Sequence, residues 1–187
     1  MTDTELVSRI KKGDMKAFDE LMHMYDKRVA NIAYSFLSDK EDALDAAQEV
    51  FVRVYKNISS FRGDSSVSTW IFRITKNVCN DFLRKRRAVV QSLDDTEEDE
   101  KPLEIADDSP GPEQVAERNE KIDALRNAIA KLDENQRMVL TLYDINGMSY
   151  EEVAKIIQCP VGTVKSRLYR ARESLKKILY ENRELFL

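Results

Sequence analysis

The first half of the chain repeats apolar residues every three or four positions, which is the spacing that buries one face of an α-helix. A short helix is predicted to end at Gly13, and Asp14 is predicted to cap a second, longer helix. The third helix begins at Ser38 or Asp39, and a fourth covers 68–87 after a loop rich in serine. These four helices are predicted to form a first helical module.

The second half of the chain has the same helical spacing, interrupted by residues that break helices. Asp133, Gly147 and Pro160 mark the breaks. The predicted helices cover 117–132, 134–145, 149–157 and 163–181. We find no alternation of apolar and polar residues long enough for a strand, so the predicted fold class is all-α.

An acidic segment separates the two modules. Residues 94–108 contain nine acidic residues and one lysine, and because they contribute −8 to the total charge of −4, the other residues sum to +4. A block of like charges stays solvated and extended, and proline and glycine follow it at 110–112. The sequence therefore predicts two small helical domains, 1–87 and 116–187, joined by a flexible acidic linker over 88–115.

Residues 148–177 have the pattern of a helix-turn-helix, in which the second helix enters the DNA major groove. Ser149 and Glu152 form a capping box, and Thr163 is predicted to cap the second helix. That helix is apolar on one side and cationic on the other, and cationic side chains can reach guanine edges and phosphates. The residues on its outer side are Lys165, Ser166, Tyr169 and Arg170, with Arg167 and Arg172 at the flanks. The alternative is an ordinary helical hairpin with a solvated basic face.

The helix predicted over 68–87 combines aromatic, amide and cationic side chains, which single-stranded DNA binding uses for stacking, base reading and backbone contact. A helical wheel places Trp70 beside its basic arc and away from its apolar stripe. The basic arc consists of Arg73, Lys76, Asn77, Asn80, Arg84 and Arg87, and the preceding loop contains Phe61 and Arg62. In the alternative interpretation, Trp70 and Phe72 belong to the core and the arginines are solvated.

Several classes of function lack their sequence signals. His23 is the only histidine, and Cys79 and Cys159 have no neighbouring ligand, so we predict no metal, no disulfide and no cofactor. We find neither a glycine-rich phosphate loop nor a nucleophile paired with a base, which makes an enzyme improbable. The N-terminus does not resemble a signal peptide and no apolar run is long enough to insert into a membrane, so we expect a cytoplasmic protein.

Two segments, 48–87 and 132–177, resemble regions 2 and 4 of the extracytoplasmic-function (ECF) sigma factors of bacterial RNA polymerase, in the same order across an acidic linker. Tyr55 departs from the family pattern, where tryptophan is frequent, and Lys165 stands where arginine also occurs. Lysine lacks the planar fork of arginine, so the base preference could differ. A conventional helix-turn-helix repressor or activator is the competing class, but it leaves the aromatic and basic helix without a role.

The resemblance implies a subunit that directs core RNA polymerase to promoters, in a stress or envelope response and under an anti-sigma factor that is frequently membrane-anchored. It implies that region 2 binds the polymerase clamp coiled coil through Asp45, Gln48, Glu49 and Arg53. Region 2 would also capture the unpaired −10 element, with the residues Phe61, Arg62, Ser68, Thr69, Trp70, Arg73, Asn77 and Asn80. Region 4 would meet the polymerase flap and read the −35 element of promoter DNA, with the residues Thr163, Lys165, Ser166, Arg167, Tyr169, Arg170 and Arg172.

Overall fold

The computed structural model describes residues 2–92, 122 and 124–181. Within these residues the chain forms helices joined by turns and contains no strand, so the predicted all-α class is confirmed. The acidic segment 94–108 lies outside the described residues, as does part of the helix predicted over 117–132. No helix in the described part of the chain is both long and apolar enough to span a membrane.

The first module consists of four α-helices and one short 3₁₀ turn, Ile58–Ser60. The helices are α1 (Asp3–Ile10), α2 (Met15–Leu37), α3 (Lys40–Asn57) and α4 (Val67–Ser92). The fourth helix therefore continues to residue 92, beyond the end predicted at 87.

Short polar side chains start these helices where the sequence pattern placed them. Asp14 caps α2 and Asp39 caps α3, each by accepting a hydrogen bond from a backbone N–H of the first turn. Gly13 has φ +88°, a left-handed conformation that glycine adopts at little cost, and it turns the chain from α1 into α2. The Ser66 hydroxyl accepts a hydrogen bond from the Thr69 N–H at 3.2 Å and caps α4.

The core of the first module is formed where α2 crosses α3 and α4. Leu21 and Ile32 of α2, Val50 of α3, and Ile71 and Phe72 of α4 are completely buried. Burying each of these side chains stabilises the fold by about 1.5–3 kcal/mol. Phe72 is thus a core residue, as one of the two interpretations of α4 expected.

The second module is also helical, and its elements are shorter. Its helices are α5 (124–130), α6 (Glu134–Leu140), α7 (Tyr150–Ile157) and α8 (Val161–Glu181). The helix predicted over 134–145 is helical throughout, but it changes to a single π-helical turn at Thr141–Ile145. Such turns occur often at functional sites.

The helix-turn-helix pattern is confirmed with one correction. Ser149 and Glu152 form both hydrogen bonds of the predicted capping box. The prediction that Thr163 caps the second helix is wrong. Gln158 ends α7 in a left-handed conformation, and the Pro160 carbonyl already accepts hydrogen bonds from the N–H groups of Thr163 at 2.9 Å and Val164 at 3.2 Å. Because that carbonyl is the first acceptor, α8 begins at Val161 and Thr163 lies inside its first turn.

The two modules pack against each other, with α4 on α7 and α2 on α6. Arg137 of α6 donates hydrogen bonds to the Phe36 carbonyl at 3.2 Å and to the Ser38 hydroxyl at 2.7 Å, at the C-terminus of α2. Carbonyl groups at a helix C-terminus carry partial negative charge, so the guanidinium is well placed there. Arg87 of α4 pairs with Glu134 of α6. We call this the closed arrangement of the two modules.

We expect Arg137→Ala to open the closed arrangement, because hydrogen bonds made by a charged group are worth about 1.5–3 kcal/mol. Small-angle scattering should show a larger radius of gyration than for the wild-type chain. Lys131→Ala is the matched control, since Lys131 is an exposed cation of the same module. Identical scattering profiles for the two variants would contradict a role for Arg137 in closure.

Candidate nucleic-acid interface

The outer face of α8 has the composition that the sequence predicted. Val164, Leu168 and Ala171 are buried against the rest of the second module. On the other side the side chains of Lys165, Ser166, Tyr169 and Arg170 are exposed. Tyr169 is 68% exposed, which is unusual for a large aromatic ring and leaves it available to a partner. The exposure predicted for these four residues is confirmed.

A cluster of aromatic rings and charges lies under this face. Tyr143, from the π-helical turn, stacks on Tyr150, the first residue of α7, with ring centroids 4.4 Å apart and an interplanar angle of 26°. The Lys165 ammonium lies 5.3 Å from the centroid of the Tyr150 ring, and the Arg172 guanidinium lies 5.6 Å from that of Tyr143. Both distances are typical of cation–π contacts. This cluster was not predicted from the sequence.

Arg172 is held at its other side by Asp144. Its guanidinium donates hydrogen bonds to both carboxylate oxygens of Asp144, at 3.1 and 2.5 Å. These hydrogen bonds raise the pKa of Arg172 above its ordinary value. A two-point fork fixes the guanidinium plane as well as its position. Arg172 was predicted to contact phosphate, and its charge is already partly neutralised within the chain.

A polar pocket of about 440 Å³ lies between the two modules. Arg167 of α8 and Asn80 of α4 both line it, together with Gln158 and Cys159 of the turn between α7 and α8. The closed arrangement thus brings one predicted −35 residue and one predicted −10 residue to the same pocket. Other cations on its wall are Lys76, Arg84 and Arg87.

The basic arc of α4 faces the second module as well as solvent, since four of its members line the pocket between the modules: Lys76, Asn80, Arg84 and Arg87. Asn77 is exposed, and Arg73 and Asn80 are half-buried. Arg62 of the preceding loop is exposed, whereas Ser68, in the first turn of α4, is half-buried and its hydroxyl lies 2.9 Å from that of Ser66. These side chains form a polar surface that includes a donor and an acceptor on the Asn77 amide.

Trp70 is covered by protein in this structure, as the alternative interpretation of α4 expected for both Trp70 and Phe72. Trp70 is 7% exposed and packs on Phe61, which is 9% exposed, with ring centroids 5.3 Å apart. Thr69 is also buried, and its hydroxyl lies 2.7 Å from that of Ser66. Two large rings that cover each other remove apolar surface from water, which offsets the cost of ordering the loop. Neither ring is open to stack on a base in this arrangement.

The loop before α4 is anchored to α1. The Lys11 ammonium donates a hydrogen bond to the Phe61 carbonyl at 2.6 Å. Gly63 follows in an exposed turn with φ +83°, a conformation in which any other residue would be strained. The hydrogen bond from Lys11 and the buried ring of Phe61 together fix the backbone position from which the Arg62 side chain extends into solvent.

The four residues predicted to bind the polymerase clamp divide into two pairs. Asp45 and Gln48 are exposed on α3. Glu49 and Arg53 are half-buried and form an ion pair with an N–O distance of 2.7 Å. Arg53 forms a second ion pair with Asp81 of α4, with an N–O distance of 2.9 Å. The hydrogen bond from Arg53 lowers the pKa of the Glu49 carboxyl, so this network persists at neutral pH and weakens as acid protonates Glu49.

An apolar groove of about 650 Å³ between α2 and α3 was not predicted. Leu44, Val52 and Tyr55 line it and are each close to half exposed. Leu44, Phe51 and Tyr55 are spaced seven and four residues apart, and this helical spacing could have predicted a second apolar stripe on α3. A second apolar groove, of about 800 Å³, crosses α5, the π-helical turn and α8, and it is lined by Leu125, Ile129, Leu140, Ile145, Leu175, Leu179 and Tyr180.

The same two segments match models of known protein families. Residues 21–89 match Sigma-70 region 2, and residues 122–175 match Sigma-70, region 4. The chain is 38% identical to the RNA polymerase sigma-H factor of Pseudomonas aeruginosa, over 95% of this chain and 93% of the relative. It is 38% identical to the ECF RNA polymerase sigma-E factor of Escherichia coli, over 94% of this chain and 93% of that one.

Two solved structures have a similar fold. The sigma factor RpoE of Bartonella quintana, in complex with the anti-sigma factor NepR, matches with a TM-score of 0.75 at 27% identity, over 88% of this chain and 98% of that one. CnrH in complex with the cytosolic domain of CnrY matches with a TM-score of 0.71 at 26% identity, over 97% and 99% of the two chains. This chain belongs to the ECF family of RNA polymerase sigma factors and is a transcription initiation factor, not an enzyme.

Proposed function

We propose that this chain binds core RNA polymerase and directs it to promoters by reading two DNA elements with its two modules. The observation that carries the proposal is a pair of basic helices, α4 and α8, one in each sigma region. A conventional repressor needs only the second. The proposal accounts for both, since melted and duplex DNA need different readers.

Region 2 is proposed to capture the unpaired −10 strand with the polar surface of α4 and its loop. Arg62, Arg73, Asn77 and Asn80 are the direct contacts, because their side chains are exposed or half-buried. Their cations track the phosphates and their amides read base edges. The loop beneath this surface is fixed by the ring contact of Phe61 with Trp70 and by the hydroxyl groups of Ser68 and Thr69. A base could stack on Phe61 or Trp70 only if the two rings separated.

Region 4 is proposed to read the duplex −35 element with α8. Lys165, Ser166, Tyr169 and Arg170 face the bases. Arg167 and Arg172 contact the flanking phosphates. Thr163, in the first turn of α8, adds its hydroxyl near the point where the helix meets the groove.

We expect Lys165→Ala and Arg170→Ala each to cost about 1–3 kcal/mol at particular base pairs, as removal of a direct base contact does. Arg172→Ala should instead weaken binding evenly across sequences. The measurement is the affinity of each variant holoenzyme for a library of −35 sequences. An unchanged base preference in the first two variants would move both residues to the class of phosphate contacts.

The polymerase is proposed to dock on two apolar surfaces. The groove between α2 and α3, with Asp45 and Gln48 beside it, would meet the clamp coiled coil. The groove across α5 and α8 would meet the flap. Apolar grooves of this size are costly to leave in water, which favours a protein partner at each.

Because of the closed arrangement, we expect the free chain to bind duplex DNA poorly. Asn80 and Arg167 line one pocket, so DNA cannot use these two contacts fully until the modules separate. Docking on polymerase would hold them apart. The acidic segment 94–108 would add repulsion of phosphate, most strongly at low salt.

An anti-sigma protein is the further partner that we propose, since the similar sigma factor RpoE of Bartonella quintana was solved in complex with the anti-sigma factor NepR. Its anchor in the membrane, a role in a stress or envelope response, and a cytoplasmic location of this chain belong to the same proposal.

Run-off transcription tests the proposed function. Core polymerase with this chain should start RNA synthesis at discrete sites on fragments of the source genome, and core polymerase alone should not. Mapped start sites should share upstream elements at −10 and −35. Tight binding of duplex operator DNA by the free chain, with no transcript from the mixture, would favour a conventional repressor.

A further inference from the structure

Lys165 is a weak source of base specificity when it acts alone. Its ammonium is a point charge on a flexible four-carbon stem and can reach several acceptors with similar energy. A lysine that selects one base pair must therefore be aimed by something outside its own side chain. The candidate is the ring of Tyr150, 5.3 Å from the ammonium.

The Tyr150 ring is fixed independently of α8. Tyr150 is the first residue of α7, directly after the N-cap Ser149, and its ring stacks on the ring of Tyr143 with the centroids 4.4 Å apart. The neighbouring Tyr150 side chain raises the pKa of Tyr143, which agrees with the close approach of the two rings. Because Tyr143 belongs to the π-helical turn, the stack is supported from a third element.

The stack serves both ends of the reading face. Lys165 and Arg172 are seven residues apart, which places them on the same side of α8, two turns apart. Tyr150 lies under the first and Tyr143 under the second. The exposed ring of Tyr169 stands between them along the helix.

We propose that Tyr150 is a specificity-determining positioning residue, which aims the Lys165 ammonium at one base pair of the −35 element. The inference rests on the proposed role of α8 as the −35 reader. Tyr150 acts through Lys165 and need not touch DNA. Tyr143 supports it by fixing the ring plane and by holding Arg172 at the far end of the same face.

The test compares holoenzymes on a library of −35 sequences. Tyr150→Leu should lower discrimination about two- to fivefold, at the same base pair that Lys165→Ala affects, because an exposed cation–π contact is of that strength. Tyr150→Phe keeps the ring and should retain the wild-type preference. In the Lys165→Ala background, Tyr150→Leu should change the base preference no further, since its effect passes through the ammonium. Tyr34→Leu, which removes a half-buried tyrosine of α2 outside both proposed DNA-binding surfaces and both apolar grooves, is the matched control.

Two results would overturn the inference. One is unchanged discrimination at the Lys165 base pair in Tyr150→Leu, and the other is an equal additional loss when Lys165 is already alanine. A second measurement covers poor folding of Tyr150→Leu: the Hε protons of Lys165 in the wild-type chain should show an upfield ring-current shift, and its absence would also refute the contact. A wild-type holoenzyme without −35 preference would instead refute the proposed function.

Discussion

Replacing Leu44 with aspartate is expected to prevent the chain from assembling with core RNA polymerase. Leu44 is 50% exposed at the wall of the groove between α2 and α3. If polymerase covers this groove, the substitution loses the burial of the exposed half of the leucine, about 1 kcal/mol, and adds the cost of desolvating a carboxylate. Since about 1.4 kcal/mol corresponds to tenfold in affinity, the dissociation constant should rise by well over tenfold. Titration of the labelled chain with core polymerase measures it.

Met24→Asp is the matched control for this experiment. Met24 is 51% exposed on α2 and does not line the groove, so the same charge there should leave assembly intact. Both side chains are half exposed, so neither variant should lose much stability, and thermal unfolding checks this point. Equal affinities of the two variants for polymerase would move the docking surface away from the groove.

Asn77→Ala is expected to remove sequence-specific capture of the melted −10 strand. Asn77 is exposed on the basic arc of α4, and its amide can donate and accept at once, as reading a base edge requires. Losing such a contact costs about 1–3 kcal/mol for the cognate base. The measurement is a fluorescence titration of the holoenzyme with short non-template-strand oligonucleotides of cognate and scrambled sequence.

The expected pattern is a large loss for the cognate strand and a small one for the scrambled strand. Asn31→Ala is the control, because Asn31 is an exposed asparagine of α2 outside the basic arc. Equal binding of cognate, scrambled and duplex DNA by the wild-type holoenzyme would contradict strand capture. The proposed role of region 2 would then have to be abandoned.

The sequence alone was sufficient for the helices, for most of their caps and for the outward face of α8. These features depend on residues within a few positions of one another, because a helix advances 100° per residue and a capping side chain reaches only its own first turn. Lys165 and Arg170 were therefore placed correctly on a wheel. Thr163 was misplaced because a backbone carbonyl, at Pro160, accepted the first hydrogen bonds of α8 instead.

Only the tertiary structure decided the surroundings of α4. This helix packs on α2, α3 and α7, so a single buried stripe does not describe it, and the wheel could not decide whether Trp70 belongs to the core. The contacts of Arg137 with Phe36 and of Lys165 with Tyr150 likewise join residues on different helices. Sequence spacing measures direction around one helix axis, whereas the partner across an interface is set by how several helices pack together.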